Sequence, residues 1–254
     1  MTGSNSSRQH LVTGAVLVIG DEILSGRTKD KNIGYIAEYL TGIGIDLTEV
    51  RVVADDEAAI IEALNALRAR YDYVFTTGGI GPTHDDITAE CVAKAFGVAI
   101  SHDPRAVKLL SERLAQTGGE MNEARMRMTR IPDGAELVHN KVSAAPGFWL
   151  GNVIVMAGVP SIMQVMLDEV APKLKTGVRM LSDTVRADAR EGDIGTPLGA
   201  IAKAHPEVSI GSYPFFDETR GANTNVVLRS RDQAKLSAAK AEVEAMLQRV
   251  RGAQ

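Results

Sequence analysis

The residues best suited to chemistry are two adjacent carboxylates behind a glycine-rich turn. Thr76 to Glu90 reads TTGGIGPTHDDITAE. Gly78, Gly79 and Gly81 allow positive φ and a close approach of backbone to ligand. The helix expected to open near Asp86 to Thr88 favours an anion at its N-terminus. Thr77 and Thr83 add hydroxyls that this reading turns outward, completing a phosphate cradle. Asp85 and Asp86 would repel a phosphate unless a divalent cation lies between, or unless one of them caps the helix. Capping accounts for one of the pair more readily than for both. The string lacks the G-x-G-x-x-G dinucleotide fingerprint and the G-K-[ST] of a P-loop. The residues alone therefore specify an anion site, with or without a metal.

Such residues need a scaffold that delivers them to one place. Ala15 to Gly20 is a continuous apolar run closed by glycine, which suits a strand buried on both faces. Further strands are expected at 47–53, 73–77 and 152–156, and helical periodicity at 32–40, 58–70, 87–96, 104–116 and 161–174. This alternation implies right-handed crossovers and an α/β fold: a mostly parallel sheet with helices on both faces. Ligands in such folds sit beyond the carboxyl ends of the strands. Each chemistry-bearing segment follows a strand: Asp21, Glu22, Ser25 and Gly26; Asp55 and Asp56; the glycine turn; and Gly158, Pro160 and Ser161. After about Lys175 the order becomes βαββα, a small separate α+β unit. The expected divisions are a disordered leader over 1–13, a ligand-binding domain over 14–176 and the small domain over 177–254.

Composition bounds the function. An apolar content of 44%, a charged content of 24% and a net charge of -4 describe an ordinary globular chain, not one that coats nucleic acid. No apolar run approaches the roughly 18 residues of a membrane span. The polar start lacks a signal-peptide core. The single cysteine, Cys91, can form neither an internal disulfide nor a thiolate metal site, so a cytoplasmic home is expected. Gly192-Asp193-Ile194-Gly195 fits the bare G-x-x-G of RNA-binding loops. Its variable positions are not basic, and residues 178–254 hold 11 Lys/Arg against 10 Asp/Glu. That balance leaves no electrostatic footprint for RNA.

The string TTGGIGPTHDDITAE resembles the signature of the molybdenum-cofactor biosynthesis domain, found in molybdopterin adenylyltransferases and related proteins, and VIGDEILSGRTKDKN is similar to that group's opening motif. Asn140 with Ala145-Pro146-Gly147-Phe148, and Gly158-Val159-Pro160-Ser161, resemble one branch, the competence- and damage-inducible protein A (CinA) family. The resemblance covers about Gly14 to Lys175 and implies a KH-like unit afterwards. Full-length members often add an amidase domain; the sequence ends at Gln254, so deamidation is not expected. The resemblance further implies a pterin or adenine-nucleotide ligand, a divalent cation (Mg or Co) and a homo-oligomer. By position it implies Asp86 and Asp56 in catalysis, and Asp55, Asp56, Asp85 and Asp86 as metal ligands. It implies ligand contacts from Asp21, Glu22, Ser25, Gly26, Thr77, Gly78, Gly79, Gly81, Thr83, Pro146, Gly147, Gly158, Pro160 and Ser161. There is one departure: Ile162 stands where the family places a glutamate.

Plainer roles compete at several positions. Asp21 and Glu22, or one of Asp55 and Asp56, could cap the helices they precede. Asn140 reads as a turn residue, His84 as solvent-facing, and Trp149 as core or interface. Arg125, Arg127 and Arg130 read as the solvated face of a helix, with a phosphate contact from Arg125 or Arg130 as the lesser alternative. Three functions remain open: a metal-dependent nucleotide pyrophosphatase acting on ADP-ribose-type substrates, a molybdopterin adenylyltransferase, and a pterin- or nucleotide-binding module without chemistry.

Overall fold

The strand Val12–Ile19 (β1) is apolar along its length because helices cover both of its faces. In the computed structural model, which describes residues 11–219 and 221–252, β1 already begins at Val12, inside the stretch expected as leader; residues 1–10 lie outside the described residues. The chain continues through α1 (Asp21–Leu24), α2 (Asn32–Ile43), β2 (Ile45–Val53), α3 (Glu57–Arg68), β3 (Tyr73–Thr77) and α4 (Thr88–Phe96). Next come β4 (Ile100–His102), α5 (Pro104–Thr117), α6 (Glu123–Arg127), β5 (Arg130–Pro132), β6 (Glu136–Val138), β7 (Gly147–Leu150), β8 (Val153–Met156) and α7 (Pro160–Val170). The chain divides into two units, 1–177 and 178–254.

The first unit is built on a six-stranded sheet of order β2-β1-β3-β8-β7-β6. β2, β1, β3 and β8 run parallel, and β7 and β6 extend them antiparallel. The expected mostly parallel α/β sheet is what forms. Alternate strand residues feed two cores. Ala15, Leu17, Ile19 and Val74 pack with Ile60, Leu64 and Leu67 of α3 and Val92 of α4. Val16, Val18 and Phe75 pack with Ile36 and Leu40 of α2 and with Met163, Met166 and Val170 of α7. Sequence reading missed β4 to β7 because strands of three or four residues are too short to display a period. The expected helical arginine face shrinks to α6, and Arg130 belongs to β5.

Helix ends are set locally. Asp56 caps α3, accepting from the Ala59 N–H at 2.9 Å. Asp103 with Pro104 starts α5, and Gly97 in the left-handed conformation closes α4.

The second unit runs β9 (Leu181–Arg186), α8 (Glu191–Ala204), β10 (Ser209–Asp217), β11 (Gly221–Ser230) and α9 (Gln233–Gly252). Its antiparallel sheet, order β10-β11-β9, forms a separate core with α8 and α9 around Val226, Leu228, Ile194, Leu236 and Val243. Gly192 and Gly195 lie inside α8 with open space around them, so the G-x-x-G is helix and neither loop nor turn. Among the described residues no helix is long and apolar enough to cross a membrane.

Candidate functional site

β1 leads to β2 on one side of the sheet, and β3 lies on the other. Strand order therefore reverses between β1 and β3, where open α/β sheets form a crevice at the strands' carboxyl ends. A cavity of about 400 Å³ opens there. Its wall comes from the loop after β1 (Gly20, Glu22), the loop after β2 (Asp55), the β3–α4 loop (Gly78 to Pro82, Asp85, Asp86) and the loop after β8 (Ala157 to Val159, Ile162).

The glycine turn is held against its neighbours. Gly78 has φ +103°, and a Cβ there would lie 2.1 Å from the Ile19 carbonyl oxygen. Gly79 has φ +67°, and its Cβ would meet the Thr88 hydroxyl at 2.1 Å. Only glycine permits this conformation and packing together. The Thr88 hydroxyl donates to the Gly78 carbonyl at 3.0 Å, tying the turn to α4. Gly81 lies beside the Asp86 carboxylate, with no room for a Cβ.

The aspartates separate by role. Asp86 accepts from the Thr83 N–H (2.8 Å) and hydroxyl (2.5 Å), which fixes the turn. The α4 N-cap is Ile87, so neither Asp85 nor Asp86 caps that helix. Polar contact with Thr83, hydrogen bonding from its own amide and the charges of His84 and Arg127 hold the Asp85 carboxyl below the usual range. Burial pushes the Asp55 carboxyl up; the Asp21 N–H donates to it at 2.9 Å and opposes the shift, while the charges of Asp21, Glu22 and Asp85 add to it. Asp56 is exposed at its helix cap and does not line the cavity. The four-aspartate metal set is thus not assembled: Asp55, Asp85 and Asp86 share the pocket and Asp56 does not. Among the described residues no group of three or more His, Cys, Asp or Glu is disposed to hold a metal by itself.

Of the other expected ligand contacts, Glu22, Gly78, Gly79, Gly81 and Gly158 line the cavity. Thr77 is buried beneath it as part of β3, as is Thr76, so these hydroxyls do not turn outward. Asp21, Ser25 and Gly26 stand outside the wall; Ser25 ends α1. Thr83 acts through Asp86. Pro160 and Ser161 form the first turn of α7. Gly147 lies in β7, where a Cβ would strike the Val155 carbonyl oxygen at 2.2 Å, and so serves strand packing. Pro146 lines an adjoining smaller cavity. His84 is exposed; Trp149 packs edge-on against Tyr73 and donates to the Gly151 carbonyl.

The structure adds residues that sequence reading did not single out for the site. Ile19, Ile80, Met128, Ser143, Ala145 and Ala157 complete the wall. Asn140 accepts from the Ser143 N–H at 2.7 Å and donates to the Ala145 carbonyl at 2.5 Å, so the turn residue positions two wall residues. Buried Asn32 donates to the Gly158 carbonyl at 2.8 Å, fixing the loop after β8 beside Gly78. Both asparagines lay within the quoted motifs. Ile162, the departure noted above, places an apolar side chain on the cavity wall.

The fold and crevice define an α/β protein that binds a small ligand at the carboxyl ends of its central strands. The family described as "Probable molybdopterin binding domain" matches residues 15–176, and the chain belongs to that family. A second family, "FAD synthase, middle domain", matches residues 179–251. A protein of Archaeoglobus fulgidus is 32% identical over 232 residues, covering 91% of this chain and 96% of that one. A CinA-like protein of Geobacter metallireducens is 35% identical over 206 residues, 77% of this chain; the match spans 50% of that relative. Crystalline CinA of Thermoplasma acidophilum, 32% identical, superposes with a TM-score of 0.60 over 64% of this chain and 98% of that one.

Proposed function

We propose that the pocket holds a nucleotide or pterin through its phosphates and that the protein is a metal-dependent pyrophosphatase for ADP-ribose-type diphosphates. The observation that carries this reading is the convergence of Asp55 from one loop and Asp85 and Asp86 from another on one crevice beside the glycine turn. The donors are all oxygen, which suits Mg²⁺ or Co²⁺. Mg²⁺ commonly takes one or two protein carboxylates and completes its shell with phosphate oxygens and water. One or two of Asp55, Asp85 and Asp86 would hold it on those terms, and when bound it would neutralise the diphosphate and activate a water. The Gly78–Gly81 backbone positions the diphosphate. Thr83 keeps the Asp86 carboxylate aimed across Gly81. Hydrolysis adds water oxygen to one phosphorus and releases the bridging oxygen with the other, giving AMP and ribose 5-phosphate. The match of 179–251 to a domain of FAD synthase is consistent with nucleotide chemistry.

A second reading, ligand binding without hydrolysis, is favoured by Ile162 on the cavity wall. The test is incubation of the purified protein with ADP-ribose and Mg²⁺ or Co²⁺, with products separated by chromatography. Hydrolysis is expected, and Asp86→Asn, which keeps an acceptor for Thr83 but loses the charge, should reduce it by at least about 100-fold. Turnover no greater than in Asp86→Asn, with ADP-ribose still bound, would establish the binding module instead. ATP-dependent adenylylation of a pterin would replace hydrolysis with transfer.

A further inference from the structure

A small niche adjoins the main cavity, sharing Gly79, Ile80, Gly81, Asp86 and Met128 with it. Its volume is about 20 Å³, room for a single water-sized oxygen. Two arginines line it, and they differ in one respect. The Arg130 guanidinium is paired with the Glu90 carboxylate. Arg127 forms no such close ion pair among the described residues, although its charge acts on Asp85, and its Nε–H is buried with no acceptor. A buried, unsatisfied donor is costly and rare in native proteins. The charged residues of the main cavity are all acids, Glu22, Asp55, Asp85 and Asp86, which would repel an anionic ligand.

We infer that Arg127 is the anion anchor of this pocket: it donates to an oxygen of the ligand's phosphate and makes the site select phosphorylated ligands over neutral ones. The inference rests on the crevice being the ligand site proposed above, and it adds the residue that sets ligand class. A one-oxygen niche beside an unsatisfied guanidinium Nε–H suits one oxygen of a phosphate group. The guanidinium's charge offsets the repulsion from the carboxylates. Either a nucleotide or a phosphorylated pterin supplies that chemistry.

The test is calorimetry in EDTA, so that no divalent ion contributes, comparing AMP with adenosine on the wild type, Arg127→Gln and Arg127→Lys. A 6-hydroxymethylpterin phosphate arm, compared with its dephosphorylated form, distinguishes the two phosphate sources. The wild type should prefer the phosphorylated member of a pair by about 10- to 100-fold, the range of a charge-assisted hydrogen bond. Arg127→Gln should erase that preference while leaving affinity for the neutral member unchanged, and Arg127→Lys should restore part of it. Thermal midpoints without ligand should match the wild type or rise in Arg127→Gln, because a buried donor without an acceptor has been removed. Preference intact in Arg127→Gln would overturn the inference and leave the pocket reading standing. A lowered midpoint with both members weakened equally would overturn it in favour of a packing role. A wild type that binds none of the four compounds would overturn both readings.

Discussion

Two glycine-bearing segments of this chain look alike in sequence and differ in structure. Gly78-Gly79-Ile80-Gly81 forms a turn whose first two glycines have positive φ and whose missing Cβ atoms leave room for the Ile19 carbonyl and the Thr88 hydroxyl. Gly192-Asp193-Ile194-Gly195 is ordinary helix, and a Cβ at either of its glycines would meet nothing within 4 Å. The lesson is that glycine spacing alone does not make a site. Enforced close approach does, and it occurs where two parallel strands end side by side.

The largest effect should come from Gly78→Ala. Its Cβ would collide with backbone at a strand end, so stability should fall by at least about 3 kcal/mol in urea unfolding. A loss under about 1 kcal/mol would mean that the β1–β3 junction is not pinned as described. The neighbouring aspartates extend the same contrast, since Asp55 faces the pocket and Asp56 a helix end. Asp56→Ala should cost about 1 kcal/mol through the lost cap and leave ligand affinity unchanged by calorimetry. Weakened binding would put Asp56 back in the site. Gly195→Ala should stabilise the protein by about 0.5–1 kcal/mol, the usual gain inside a helix, with no effect on ligand. A destabilising result would show that the G-x-x-G needs its glycine.

The subtlest test is pH dependence at Asp55. Its folded pKa is raised, so the folded state favours the protonated form. The associated stability is fully present below the ordinary value near 3.8 and is lost as pH rises through the folded pKa. Asp55→Asn, which keeps an acceptor for the Asp21 N–H, should unfold at a higher temperature than the wild type at pH 7. The gap should close at pH values below the ordinary aspartate range. An equal gap at both pH values would remove the electrostatic account of this site.

Some of this was legible residue by residue. The runs of β1, β3 and β8 are largely apolar because both faces are covered, and Asp103-Pro104 and Gly97 mark helix ends by local backbone preference. The glycine turn and its aspartates stood out because their types are hard to explain otherwise. Thr77 misled because a hydroxyl beside glycines looks like a ligand contact, whereas its strand is buried on both faces. Arg127 read as one of three solvated arginines, since the Glu90 that neutralises Arg130 is 40 residues away in the chain.

By itself the sequence determined the class of fold, the order of its longer helices and central strands and the segments that follow those strands, because periodicity and glycine conformation act over a few residues. Only the tertiary structure decided which side chains meet. It separated Asp55 from Asp56, placed Ile162 on the cavity wall and left the Arg127 Nε–H buried without an acceptor. Those outcomes depend on the packing of loops that end neighbouring strands but lie far apart along the chain, and no local propensity encodes that proximity.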